Sequence, residues 1–152
     1  MIKLTNQSII RFVMYGAAFL IIMVFMYSYY NNSQEEIAKV IIREHIIYAE
    51  MSRTEKSHAR GLSKREGICH SCGMLFIFSE KEKYSFWMKG MQFGLDIIWI
   101  NNNQVVGIEK NVSHEQGDEK ILRSEIEVDK VLEVRAGLSD EWGIETGDEV
   151  IF

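Results

Sequence analysis

Cys69-His70-Ser71-Cys72 holds both cysteines of the chain. Three chemistries are open to such a pair. Outside the cytoplasm, two nearby thiols ordinarily close a small disulfide loop. As a redox couple, Cys-x-x-Cys depresses a thiolate pKa, but a thioredoxin-like site needs a strand before it, a helix after it and βαβ surroundings. The run that follows, GMLFIF (Gly73–Phe78), reads as a strand instead. As a metal site, tetrahedral zinc needs about four ligands. Cys69, Cys72 and His70 supply two or three, leaving His58 or His114 to complete the set. The expectation is a disulfide at Cys69 and Cys72, with redox activity as the alternative and with no metal and no cofactor.

The second constellation is Phe86-Trp87-Met88-Lys89, with Asp96 and Trp99 following. An aromatic ring beside a cation and a carboxylate suits a sugar or a peptide: the ring stacks while the charges fix orientation. Trp87, Lys89 and Asp96 are therefore the candidate binding residues, with Arg60 as a fourth. The competing reading has Phe86 and Met88 in the core, Lys89 solvated and Asp96 bonded to a turn amide. Arg60 would then form a buried ion pair with Asp96 or Glu133. No catalytic group is apparent. His45, His58 and His114 are scattered, and no Ser/His/Asp set is in view. Glu44, Glu50, Glu66 and Glu133 have no visible pairing as acid and base. Gly143–Gly147 places two glycines around a turn but lacks the Lys-Ser/Thr of a phosphate loop.

These residues must be positioned by short strands. Val40–Ile42 and Ile46–Met51 flank a polar break and predict a hairpin. Thr54–Arg60 predicts a short helix, capped by Thr54 and ended by Gly61. Met74–Phe78 and Tyr84–Met88 read as strands around a charged loop, Ser79–Lys83. Leu95–Ile100 and Gln104–Glu109 form a hairpin through Asn101-Asn102-Asn103, since Asn tolerates positive φ. Asn111–Glu119 reads as a polar loop. Val128–Ala136 predicts a half-buried strand, Ser139–Gly143 a helical turn, and Glu149–Phe152 a last strand. The fold class is mainly β: a small antiparallel sandwich or open barrel with one short helix.

A different element precedes this domain. Phe12–Tyr30 is 19 residues without a charge, and a helix of that length spans roughly 28 Å, close to the hydrocarbon thickness. Backbone groups in lipid must pair internally, which requires helix. Tyr27, Tyr29 and Tyr30 cluster at one end, at interfacial depth. Lys3 and Arg11 precede the run, while Glu35 and Glu36 follow it. The positive-inside bias places residues 1–11 in the cytoplasm and the rest, after a connector over residues 31–37, outside. Ser33–Glu36 could cap an extra helical turn in that connector. The competing reading, a cleaved leader, expects a shorter apolar core ending in a small-x-small site. The exit MYSYYNNSQ offers none.

The chain carries 17 Lys and Arg against 22 Asp and Glu, net −5. Setting aside Lys3 and Arg11 takes the remainder to −7. An acidic domain argues against nucleic acid, whose phosphates need a cationic face. The expected partners are the membrane, through Phe12–Tyr30, and an envelope polysaccharide or protein. Proline is absent, where about seven would be ordinary, so Gly, Asn and Asp must make the turns.

The blocks ARGLSKR (Ala59–Arg65), GMLFIF (Gly73–Phe78), FWMK (Phe86–Lys89), LDIIWI (Leu95–Ile100), VLEVRAG (Val131–Gly137) and GIETGD (Gly143–Asp148) occur in this order. In order and spacing they resemble the domain of unknown function 192 family, over about residues 38–152. This is an uncharacterised prokaryotic family, often exported or membrane-tethered. The resemblance implies a compact, mainly β domain with a short helix and no established catalysis. The chain departs from the family pattern at Gly90-Met91, where Asn-Thr is common, and at Gly94, where proline is usual. Glycine for proline should cost about 0.4–1 kcal/mol at each compatible site. The expected function is a non-enzymatic, membrane-anchored envelope binding module for a glycan, peptide or protein. The alternatives are a thiol-disulfide oxidoreductase and a structural or assembly component.

Overall fold

The computed structural model of the chain describes residues 6–31, 36–117 and 121–152. Residues 32–35 of the connector expected over residues 31–37, including Ser33 of its capping box, lie outside them. The chain divides into two compact units between Glu35 and Glu36. The first contains helix α1 (Asn6–Asn31). Within it, Arg11–Ser28 has a mean hydropathy of 1.7 and no buried share, long and apolar enough to cross a membrane.

The second unit is mainly β. Strands β1 (Ile37–Ile42) and β2 (His45–Ser52) form the expected hairpin. Its two-residue turn puts Arg43 at φ 55°, and Arg43 Nε donates to Asp148 Oδ2 at 2.7 Å. Helix α2 (Glu55–Arg60) then carries the chain across to β3 (Cys72–Glu82), which pairs with β2 in parallel, Tyr48 opposite Cys72. This parallel pair was not foreseen in an antiparallel scheme. A parallel neighbour needs a crossover connection, and α2 with the loop after it supplies one.

Strands β5 (Leu95–Asn101) and β6 (Gln104–Val112) form the second hairpin, turning at Asn102 with φ 55°. Strand β8 (Val128–Arg135) lies between β3 and β5, antiparallel to both. With the short β9 (Val150–Ile151), the order is β6-β5-β8-β3-β2-β1-β9. The sheet curls into an open barrel. Its ends approach where Glu149 bridges Gln104, Val105 N–H donates to Asp148 O at 2.9 Å, and Val150 N–H donates to Asn103 O at 2.8 Å.

Each face of the sheet buries its own cluster. Val40, Ile42, Ile47, Ile98, Leu132 and Val134 pack together with Val105 and Val150 from the two end strands. Since the end strands meet, this face is the barrel interior. Helix α3 (Leu138–Glu141) contributes Leu138 to it. The outer face gathers Met74, Phe76, Ile97, Trp99 and Val131 beneath Leu62, Met88 and Leu122. Leu122 belongs to β7 (Leu122–Arg123), which pairs with β4 (Ser85–Phe86) in a separate two-stranded ribbon.

Several local expectations change. Strand β8 is not half-buried: Val131, Leu132, Glu133 and Val134 are all buried, because a central strand is covered on both faces. The charged stretch expected as a loop after Phe78 instead extends β3 to Glu82 on an exposed stretch, while the strand expected over Tyr84–Met88 shrinks to two residues. Asn111 and Val112 end β6 rather than opening a loop, and a single helical turn follows at His114–Gln116. Gly94 is a tight position. A Cβ there would sit 3.1 Å from both Ala136 Cβ and Val112 O, so a larger residue fits only after a shift.

Candidate functional site

The outer face opens into a cleft of about 500 Å³ between α2 and the segment that follows β4. One wall is α2, held by a reciprocal cap. Ser57 N–H donates to Thr54 Oγ1 at 3.1 Å, and Thr54 N–H donates to Ser57 Oγ at 3.0 Å. Gly61 ends the helix at φ 49°. His58 Nε2 lies 2.9 Å from Ser52 O. A carbonyl only accepts, so this nitrogen carries the proton. The His58 ring lies against Phe78, centroids 4.7 Å apart.

The other wall is the segment from Tyr84 to Met91. Tyr84 stacks on Phe78 at 3.6 Å and its hydroxyl donates to Glu80 O at 2.8 Å. Burial, then Glu82 and Glu80, push the Tyr84 pKa up. Phe86 packs edge-on against Phe76 and Trp99. Met88 is buried and its N–H donates to Gly117 O at 2.9 Å. Between Phe86 and Met88, Trp87 is left 48% exposed. The walls are joined where Lys64 N–H donates to Gly90 O at 2.8 Å.

The floor carries Glu133. It lies on β8 opposite Met74 of β3 and Ile97 of β5, and is only 5% exposed. Its Oε2 has no hydrogen-bond partner. Desolvation pushes its pKa from 4.5 up to about 8, so the carboxyl is mostly neutral near pH 7.

Of the residues singled out in the sequence, Arg60, Trp87 and Lys89 all line this cleft. Asp96 does not. It is fully buried and accepts three backbone N–H groups, from Asn111 at 2.7 Å, Gly137 at 3.0 Å and Ser139 at 2.8 Å. Side chains alternate along a strand. Leu95, Ile97 and Trp99 point to the outer face, so Asp96 points inward, away from the cleft, where it anchors the start of α3. The carboxyl on the cleft floor is Glu133, which sequence reasoning named as a partner for Arg60 and among the glutamates without a visible acid–base pairing. Its signal was an acidic residue between Leu132 and Val134, at the centre of an apolar strand.

Cys69 and Cys72 form a disulfide with Cα atoms 5.0 Å apart. Cys72 opens β3, and no helix follows it. Between the cysteines, His70 Nε2 lies 3.1 Å from Glu141 Oε1 and its ring meets Trp142 edge-on. Trp142 also stacks on His45 at 4.5 Å. Arg65 ties the same loop to β2 through a two-pronged pair with Glu50, both contacts at 2.5 Å. Among the described residues, no group of three or more His, Cys, Asp or Glu side chains is gathered to hold a metal.

The family model for domain of unknown function 192, described as Uncharacterized ACR, matches residues 37–152. The chain belongs to this family. Two solved structures are similar to the DUF192 domain. One is a protein of unknown function from Novosphingobium aromaticivorans, at TM-score 0.73 and 29% identity, covering 79% of this chain and 88% of that one. The other, from Sinorhizobium meliloti, is provisionally named a transcription regulator; it aligns at TM-score 0.73 and 26% identity, covering 78% and 95%. No curated protein matches the chain.

Proposed function

We propose that this protein is a membrane-tethered recognition module whose DUF192 domain stands outside the cytoplasm and holds a ligand in the outer-face cleft. The observation that carries the reading is an aromatic-walled cleft of about 500 Å³ with a buried carboxyl on its floor. That volume falls in the range of small-ligand sites, which combine apolar walls with a few convergent polar groups. The anchor supports the address. Lys3 and Arg11 precede α1, Glu35 and Glu36 follow it, and its exit lacks a small-x-small sequence. The acidic balance of the domain weighs against a nucleic-acid role. The ligand of first choice is an envelope polysaccharide, with a peptide or protein next.

Co-sedimentation of the detergent-solubilised protein with isolated envelope polysaccharide tests this. Wild type should pellet with the polymer and Trp87→Ala should stay in solution. A wild type that never pellets removes the polysaccharide reading. A mutant that still pellets moves the site away from the cleft.

The thiol-disulfide alternative draws on the Cys69–Cys72 bond alone. A strand rather than a helix follows it, so the attacking thiol lacks the helix N-terminus that would lower its pKa. Trapping of a mixed disulfide with a substrate protein by Cys72→Ser would revive that reading.

A further inference from the structure

Resting on the recognition reading above, we propose that Glu133 is the ligand-binding group of the cleft and that it takes a hydroxyl of an uncharged sugar ring. Three observations carry this, from the floor, the walls and the rim.

The floor holds the unmet group. Glu133 lines the cleft, and its Oε2 is buried without a hydrogen-bond partner. A buried polar atom left unmet bears the full cost of its lost water. The sheet offers no relief, since the residues opposite Glu133 on the two neighbouring strands are Met74 and Ile97. The helix wall adds no side chain over it either. Gly61 lines the cleft at this point, and a Cβ there would stand 3.8 Å from Glu133 Oε2.

The walls bear on which charge the ligand carries. Their basic groups are engaged: Arg53 pairs with Glu36 at 3.6 Å, and Arg60 and Lys89 each have an interaction of their own. Glu133 is mostly neutral near pH 7. An ammonium ion would have to displace its proton, and a carboxylate would be stripped of water beside a second carboxyl. A hydroxyl requires neither. It donates and accepts through one oxygen, so it meets Oε2 whichever way the carboxyl proton lies. An amide divides those two functions between separate atoms.

The rim supplies a ring. Phe86 packs against Phe76 and Trp99, and Phe78 stacks on Tyr84. Trp87 lines the cleft yet stands half in solvent. An aromatic face in that position suits a surface that is apolar on one side and wet on the other, such as the C–H face of a sugar ring. A sugar seated on Trp87 also brings hydroxyls, one of which the floor can take.

Calorimetric titration of the full chain in detergent micelles, near pH 7, tests the proposal with glucose, glucuronate, glucosamine and alanyl-alanine amide. Glucose should bind more tightly than its two charged analogues. Glu133→Leu removes the unmet polar atom and should melt no lower than wild type, yet it should bind glucose about tenfold or more weakly, the scale of one hydrogen bond. Glu133→Gln, which restores a donor and an acceptor, should recover binding relative to Glu133→Leu. Wild-type affinity in Glu133→Leu overturns the role of Glu133. Tighter binding of glucuronate or glucosamine overturns the uncharged class and leaves the recognition reading standing. Tighter binding of alanyl-alanine amide reassigns the cleft to peptides. Binding of none of the four overturns this proposal, whereas the recognition reading falls only if polysaccharide co-sedimentation fails as well.

Discussion

At the scale of single residues, two buried carboxyls sit on opposite faces of one sheet and do different work. Asp96 is met by three backbone N–H donors, while Glu133 has an oxygen that nothing meets. Asp96→Asn puts an amide group against those donors. Hydrogen bonds to a charged group contribute about 1.5–3 kcal/mol each, so chemical denaturation should show a loss of roughly 2–4 kcal/mol. Ligand affinity per folded molecule should not change; a changed affinity would return Asp96 to the binding site. Glu133 has the opposite signature. Its folded pKa, about 8, lies above its ordinary 4.5, so the folded state holds the proton more tightly than the unfolded one. The stability that proton confers is complete below about pH 4.5 and is lost as pH rises through about 8. Unfolding curves measured between those limits should fall for wild type and run flatter for Glu133→Gln. Equal slopes would mean that Glu133 is ionised in the folded protein. The choice between the two carboxyls was only half legible in the sequence. Alternation sends Asp96 and Trp99 to opposite faces, but which face carries the cleft depends on where α2 and the segment after β4 come to rest.

At the scale of elements, the cleft depends on one helical turn and a half. Helix α2 has no buried residue of its own, so its caps hold it more than its packing does. Thr54→Ala should destabilise the domain by about 1 kcal/mol. It should also weaken ligand binding, since His58 and Arg60 ride on that turn. A fall in stability with unchanged affinity would show that the wall persists without its cap. These caps were readable because Thr and Gly do their work locally. The two hairpins were readable for the same reason, through alternation and turn residues. The parallel pairing of β2 with β3 was not, because nothing local distinguishes a strand's long-range partner. The extension of β3 through Ser79–Glu82 was hidden by its charge: an exposed strand end tolerates Lys and Glu that a buried one does not.

At the scale of the molecule, the mainly β class, as a sandwich or an open barrel, followed from many short strands and few helices; which of the two it is did not. The curl depends on β9, two residues long, which pairs with β1 at Ile41 and Ile42 and lies beside the start of β6. Removing residues 150–152 should uncover Val40, Ile42 and Val105, which pack with Val150. We expect the truncated domain to lose at least about 2–4 kcal/mol, the cost of emptying a buried aliphatic site, and to bind a hydrophobic dye. A truncated form as stable as wild type would mean that the seam between the sheet ends carries no energy.

That seam also sets the order in which the domain can be made. Strand β9, which makes it, also pairs with β1 across more than a hundred residues, so the sheet ends cannot meet until Val150 has arrived. Up to that moment β1 shows an open edge to its surroundings, the condition under which strands pair with the wrong neighbour. A chain synthesised at about 5–20 residues per second would hold that edge open for some seconds. For this barrel, misassembly is a hazard of its birth, and the last turn before Val150, clasped by Arg43 on Asp148, ends it.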